Sequence, residues 1–178
     1  MTPRTSAAWV ALFVALVVVA FQAIDTGGDS PQRSNPSSGS ANKARTAKVL
    51  RTVDGDTIVV KDSENRTERV RYIGVDTPES VKPNAPVDCF GHEASDYNKQ
   101  LVAGKTVRLV PDREAEDRYG RSLAFVYVGD QLIQAKLLEN GYARTLEIEP
   151  NTSKASYFAK LERVAISTNR GLWRACDR

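Results

Sequence analysis

From Ala47 to Val75 the chain alternates apolar and polar positions in short runs broken by turn residues, the period of half-buried strands. Ala47–Val53 alternates and stops at Asp54-Gly55, a strong hairpin-turn pair, and the β-branched Thr57–Lys61 is expected to pair back onto it. Asp62–Arg66 is a polar turn, Glu68–Val75 reads as a third strand, and Val81–Asp88, with two prolines, reads as an irregular loop. The period then becomes helical. Glu93–Val102 places Ala94, Tyr97 and Leu101 on one side and stops near Gly104. Lys105–Val110 and Leu123–Val128 are further strands, separated by the charged segment Asp112–Arg121. Gly129-Asp130 turns the chain into a helix over Leu132–Asn140, closed by Gly141. A last helix, Ser153–Thr168, aligns Tyr157, Leu161, Val164 and Ala165 along one stripe. Five short strands with a helix after the third predict a mainly β fold with added α: a five-stranded, partly open barrel of the oligonucleotide-binding type, with three helices. No internal repeat is visible.

The first 46 residues do not fit that pattern. Ala7–Phe21 runs without a polar side chain behind one cation, Arg4. This is shorter than the about 20 apolar residues of a membrane span and matches the apolar region of a signal peptide. Val18-Val19-Ala20 is a tolerable cleavage site and Phe21-Gln22-Ala23 is not, so residues 1–24 read either as a cleaved signal or as a retained anchor. Residues 25–46 are rich in Ser, Gly, Asn and Pro with almost no apolar positions, the composition of a flexible tether. Residues 47–178 then form one domain of common size. The expected location is extracellular: secreted, or tethered to the membrane only through the N-terminal segment if that is uncleaved.

Charge narrows the class of partner. Four of the 25 Lys+Arg and two of the 22 Asp+Glu precede residue 47, leaving 21 against 20 in the domain. A phosphate-clamping surface ordinarily carries a basic surplus, so a nucleic-acid site here must be a small local cluster. Cys89 and Cys176 are the only cysteines. Behind an export signal, an even count favours a disulfide between them, pinning the C-terminal tail to the loop before the first helix.

Three clusters carry the candidate chemistry: Asp54-Gly55-Asp56-Thr57, Arg71 with Asp76-Thr77-Pro78-Glu79, and Asp117-Arg118-Tyr119-Gly120-Arg121. Each has an ordinary reading, as a turn, as a helix start with Pro in the first position, and as a solvated basic loop. Their combination is less ordinary. Asp56 and Asp76 supply hard carboxylate oxygens from neighbouring strand ends, which suit Ca²⁺, whereas no Cys/His set of structural-zinc spacing exists. His92 is the only histidine, so a histidine base is not easily built, and it reads as an ordinary residue at a helix start. Glu79 is placed to address a water beside the same ion. Arg71 and Arg121 bring planar, permanently charged donors that match phosphate oxygens in pairs. A cation, a carboxylate and two arginines are a plausible kit for attack on a phosphodiester.

Taken together, VDGDTIVV at Val53–Val60, RYIGVDTPES at Arg71–Ser80, FGHEAS at Phe90–Ser95, DRYGRSLAFVY at Asp117–Tyr127, LLENGYAR at Leu137–Arg144 and GLW at Gly171–Trp173 resemble the staphylococcal-nuclease (thermonuclease) family. The similarity spans nearly all of residues 47–178, in order. It implies an oligonucleotide-binding barrel with three helices and one Ca²⁺ at its rim, held by the side chains of Asp56 and Asp76 and the main-chain carbonyl of Thr77. It further implies that Glu79 orients or deprotonates the attacking water and that Arg71 and Arg121 stabilise the developing phosphorane. Tyr119 matches a tyrosine near the bound nucleotide. Products would carry 3′-phosphates and 5′-hydroxyls, from DNA and RNA substrates, and the enzyme is expected as a monomer.

Two departures stand beside the resemblance. Leu146 and Ile148 occupy positions where the family's type member carries aromatics that line its nucleotide pocket, and the loop Val81–Asp88 diverges, with Lys82 its one cation. Endonucleolytic against exonucleolytic action, and DNA against RNA, stay open at this level. The alternative class is a non-catalytic nucleic-acid-binding barrel. It has no evident need for Asp56, Asp76, Glu79, Arg71 and Arg121 all at once.

Overall fold

Alternating side chains become a barrel because each strand has a partner on both sides. A computed structural model describes residues 43–80 and 86–176. The apolar run Ala7–Phe21, most of the tether and Lys82 lie outside the described residues. Strand β1 (Arg45–Thr52) buries Ala47 and Val49 and turns its other residues outward. It begins at Arg45, two residues earlier than the alternation indicates. Arg45 pairs with Leu109 in the ladder, and its guanidinium lies 2.8 Å from Glu68. Strand β2 (Thr57–Lys61) lies antiparallel to β1, with a shift in register between Val49 and Arg51, and it buries Thr57–Val60 without alternation. Strand β3 (Thr67–Tyr72) pairs antiparallel with β2, Thr57 opposite Arg71.

The third strand is shorter than Glu68–Val75 because the chain turns at Ile73-Gly74. Gly74 has φ +80°, and the Phe158 ring lies so close that an added Cβ would stand 2.7 Å from it, so only glycine fits. The chain resumes as β4 (Val75–Asp76). After helix α1 (Gly91–Val102), β5 (Thr106–Val110) pairs with β1 and β6 (Ser122–Val128) with β5. A parallel ladder between β3 and β6, Val70 to Ser122 through Tyr72 to Ala124, closes the five strands β1, β2, β3, β5 and β6 into the barrel that the pattern predicts. Closure removes the exposed sheet edges.

Beyond β6, Gln131–Leu132 forms β7 against β6, which delays helix α2 to Ile133–Glu139. Strand β8 (Arg144–Thr145) pairs with β4, so the rim segment of Asp76 is held from the far end of the chain. Helix α3 runs Ala155–Ser167 and a short α4 Leu172–Ala175. The α3 stripe differs from the expected one. Phe158 and Ala165 are buried, with Leu161 partly so, while Tyr157 and Val164 stay about half exposed. Two apolar stripes one residue apart exist on this helix, and the Phe158 ring, set between Gly74 and Phe125, decides which one faces the barrel. The core joins Ile58, Val60, Val70, Leu109, Val126 and Leu137. Tyr72 is buried among them and donates to Asn98 Oδ1 at 2.9 Å. Cys89 and Cys176 form a disulfide, with S–S 2.10 Å, between the loop before α1 and the end of α4. Among the described residues no helix is long and apolar enough to cross a membrane.

Candidate active site

The Asp-Gly turn between β1 and β2 is a scaffold for Asp56. Asp54 Oδ1 accepts from Asp56 N at 3.0 Å, the local bond by which aspartate stabilises a turn. Gly55 lets the exit of β4 come close, since an added Cβ would stand 2.6 Å from Thr77 Oγ1. As a result Thr77 donates to Asp56 Oδ2 from both its N (2.9 Å) and its Oγ1 (3.1 Å), and Thr57 Oγ1 donates to Oδ1 at 3.1 Å. Asp56 is therefore no solvated turn residue: it is 4% exposed.

Arg71, near the end of β3, gathers the cluster. Its Nη1 lies 3.0 Å from Asp56 Oδ2 and its Nη2 donates to Asp76 Oδ1 at 2.9 Å. The Ile73-Gly74 turn also brings the Tyr72 and Val75 carbonyls to Nη1, at 3.1 and 2.8 Å. Two carboxylates from separate strand ends thus converge on one positive centre. Asp-Thr-Pro-Glu starts no helix here; it leaves β4 in extended and irregular backbone. Glu79 follows on that segment, half-buried. His92 is exposed in the first turn of α1 and takes no part.

Arg121 is placed by Asp117. One carboxylate oxygen accepts from Tyr119 N and Arg121 N, and the other from Arg121 Nε at 2.7 Å. Burial pushes the Asp117 carboxyl up, but these bonds outweigh it and the net shift is downward. The Tyr119 ring is 68% exposed, with the guanidinium of Arg118 4.8 Å and that of Arg121 5.5 Å from its centre. A cleft of about 450 Å³ has Arg71, Arg121, Tyr119, Leu146 and Ile148 on its walls. Asn151, buried, accepts from Arg113 N and Glu114 N and so ties the charged segment to the turn that follows Ile148.

The sequence points to Asp56, Arg71, Asp76, Thr77, Glu79, Tyr119 and Arg121 and assigns no individual role to Asp117, Asp54 or Asn151. For Asp117 a signal was present, because aspartate three residues before a glycine marks a turn whose carboxylate caps the following amides. Asn151 reaches across 37 or more residues and had no local signal.

Burial pushes the Asp56 carboxyl up to about 7, with Arg71 pulling it down and Asp54 pushing it further up. Folding therefore raises this acid above its ordinary value of 3.8. Its contribution favours the fold at pH below that ordinary value and is lost as pH rises toward the folded value. In chelator, raising the pH from about 4 to 7 is expected to lower the thermal midpoint of the wild type more than that of Asp56→Asn. Parallel curves for the two proteins would contradict this.

A closed oligonucleotide-binding barrel whose cleft arginines are braced by carboxylates defines a class of barrel suited to grip phosphate groups. The model for "Staphylococcal nuclease homologue" matches residues 69–175, and the chain belongs to the staphylococcal nuclease family. It is 40% identical over 162 residues to the Thermonuclease of Staphylococcus intermedius, covering 91% of this chain and 93% of that one. Against the Thermonuclease of Staphylococcus hyicus it is 41% identical over 129 residues, 72% of this chain and 76% of the relative. Endonuclease YncB of Bacillus subtilis is 39% identical over 140 residues, 78% of this chain and 66% of its own. The coarse activity that goes with this membership is that of a nuclease, a phosphodiester hydrolase.

Proposed function

We propose that the chain is a calcium-dependent nuclease that hydrolyses DNA and RNA to 3′-phosphate and 5′-hydroxyl ends. The observation that carries this reading is Arg71, which lines the cleft with Arg121 while joining Asp56 to Asp76. The donor set fits a hard divalent cation. Two carboxylates already converge on one positive centre, and the buried one pays for its charge unless a cation is near. Asp56 and Asp76 through their side chains, and Thr77 through its carbonyl, would hold Ca²⁺. Among the described residues no third His, Cys, Asp or Glu joins them, so water would complete the shell. When bound, the ion supplies charge stabilisation at the phosphate and a site for water.

Glu79 orients the attacking water or takes its proton. The water oxygen bonds to phosphorus, the bond from phosphorus to the 5′ oxygen breaks, and a proton ends on that oxygen. Arg71 and Arg121 stabilise the charge that gathers on the phosphoryl oxygens between those events. Tyr119 lies beside the nucleotide, and Leu146 and Ile148 offer apolar contact without the about 1–3 kcal/mol of an aromatic stack. Weaker substrate binding, or an altered base preference, is the expected consequence. The enzyme acts as a monomer outside the cell. The basis for that location is the apolar N-terminal segment, which serves as a cleaved signal or as an anchor.

Plasmid and single-stranded DNA incubated with the full chain are expected to be degraded in Ca²⁺ and hardly at all in Mg²⁺, which demands a tighter octahedron. Full activity in excess chelator would sink the metal assignment, and 5′-phosphate ends would sink the assigned bond. Activity is also expected in washes of intact cells, with N-terminal sequencing to separate cleavage from anchoring. Full-length chain confined to the cytosol would contradict both.

A further inference from the structure

The backbone of Glu79 is held by a residue that has no part in the proposed hydrolysis. Asp88 Oδ2 accepts from Glu79 N at 3.1 Å, and Asp88 N donates to Glu79 O at 2.9 Å. Both main-chain polar groups of Glu79 are thus engaged by one partner. Among the described residues the Glu79 carboxylate itself makes no hydrogen bond or ion pair, which leaves it available to a water. Asp88 is in turn fixed. Gly91 N donates to its carbonyl at 2.9 Å, and the next residue, Cys89, is bonded to Cys176. Gly91 completes the clamp from the side of α1, since an added Cβ there would stand 2.5 Å from the Glu79 carbonyl oxygen. The β4 segment therefore leaves the barrel rim and docks at Glu79 on the start of α1.

We propose that Asp88 is a positioning residue for Glu79, setting the reach of that carboxylate toward the attacking water without touching substrate or cation. The inference rests on the reading of Glu79 as the residue that directs the water. A carboxylate free at its tip and fastened at its root keeps its orientation without spending its own oxygens on the protein. A displacement of about 1 Å at such a group is enough to cost up to about 10²-fold in rate. Asp88 is exposed and the clamp has a second bond, from Asp88 N, that no side-chain replacement removes, so a smaller loss applies.

In the full chain, Asp88→Ala is expected to lower kcat about tenfold, with KM and the Ca²⁺ affinity measured by calorimetry unchanged. Asp88→Asn keeps an acceptor oxygen in the same place and is expected to restore most of the rate. The decisive comparison is a double-mutant cycle: in a Glu79→Gln background, Asp88→Ala should cost nothing further. Should the alanine variant fail to fold, Asp88→Ser, whose oxygen is too short to reach Glu79 N, enters the same cycle. Wild-type kcat in the folded Asp88 variant, or an undiminished loss on top of Glu79→Gln, overturns the positioning role. Glu79→Gln at wild-type rate would instead overturn the role of Glu79 itself, so the two failures are told apart.

Discussion

Arg121→Lys is expected to lower kcat by about 10²–10³-fold while the barrel stays folded and KM changes little. Lysine carries the charge but not the planar fork that grips two phosphate oxygens. It also lacks an Nε, so Asp117 Oδ2 loses the partner that now lies at 2.7 Å and the side chain loses its orientation. Arg71→Lys should fall by at least as much in rate, but with a loss of stability that Arg121→Lys does not share. Its guanidinium, only 13% exposed, serves two carboxylates and two carbonyls at once, and an ammonium cannot match that fan. Glu79→Gln should be slow and still bind Ca²⁺, whereas Asp56→Ala should weaken the binding of Ca²⁺ itself. Arg113 and Arg163 are exposed and contribute no side chain to the cleft, so replacing them should cost little. Equal, mild losses at all of these positions would make the arginines a solvated basic face and return the chain to a binding module.

Replacing both Cys89 and Cys176 by serine is expected to lower the free energy of unfolding by on the order of 4 kcal/mol, because the bridge closes a loop across a separation of 87 residues. That is a large share of the stability of a domain of this size. Urea denaturation of the oxidised wild type and of the double variant measures it. An unchanged midpoint would mean that the tail is held by its other contacts. Those contacts are real: Leu172 N donates to Gly141 O at 2.8 Å, and the Arg144 guanidinium stacks on the Trp173 ring at 4.1 Å. Gly141 and Gly171 meet backbone to backbone, with no room for a Cβ on either. Thiol titration of unreduced, denatured protein should find no free thiol, and two would exclude the bridge.

Periodicity and turn chemistry alone located the five barrel strands and three main helices to within a few residues. Alternation and helical spacing are local consequences of which face must be buried, so they survive in the linear sequence. The segments around Asp56, Arg71, Asp76 and Arg121 stand out in the sequence only together, since each alone reads as a turn, a helix start or a solvated loop. What the chain could not show locally was decided by packing. The choice between the two stripes of α3 fell to the Phe158 ring against Gly74, a contact between residues 84 positions apart. The end of β3 at Tyr72 depends on that same close approach. The burial of Asp56, which pushes its carboxyl up to about 7, depends on a close approach between separate segments, with Gly55 admitting Thr77 just past β4. The anchoring of Arg121 by Asp117 stands between these extremes, a local turn whose sequence signal was present but whose purpose appears only once Arg71 lines the same cleft. Sequence thus determined which groups are available and which faces they share. The tertiary structure alone determined which carboxylate is buried and what each arginine is braced against, because burial and long-range hydrogen bonds depend on the approach of segments that the linear order keeps apart.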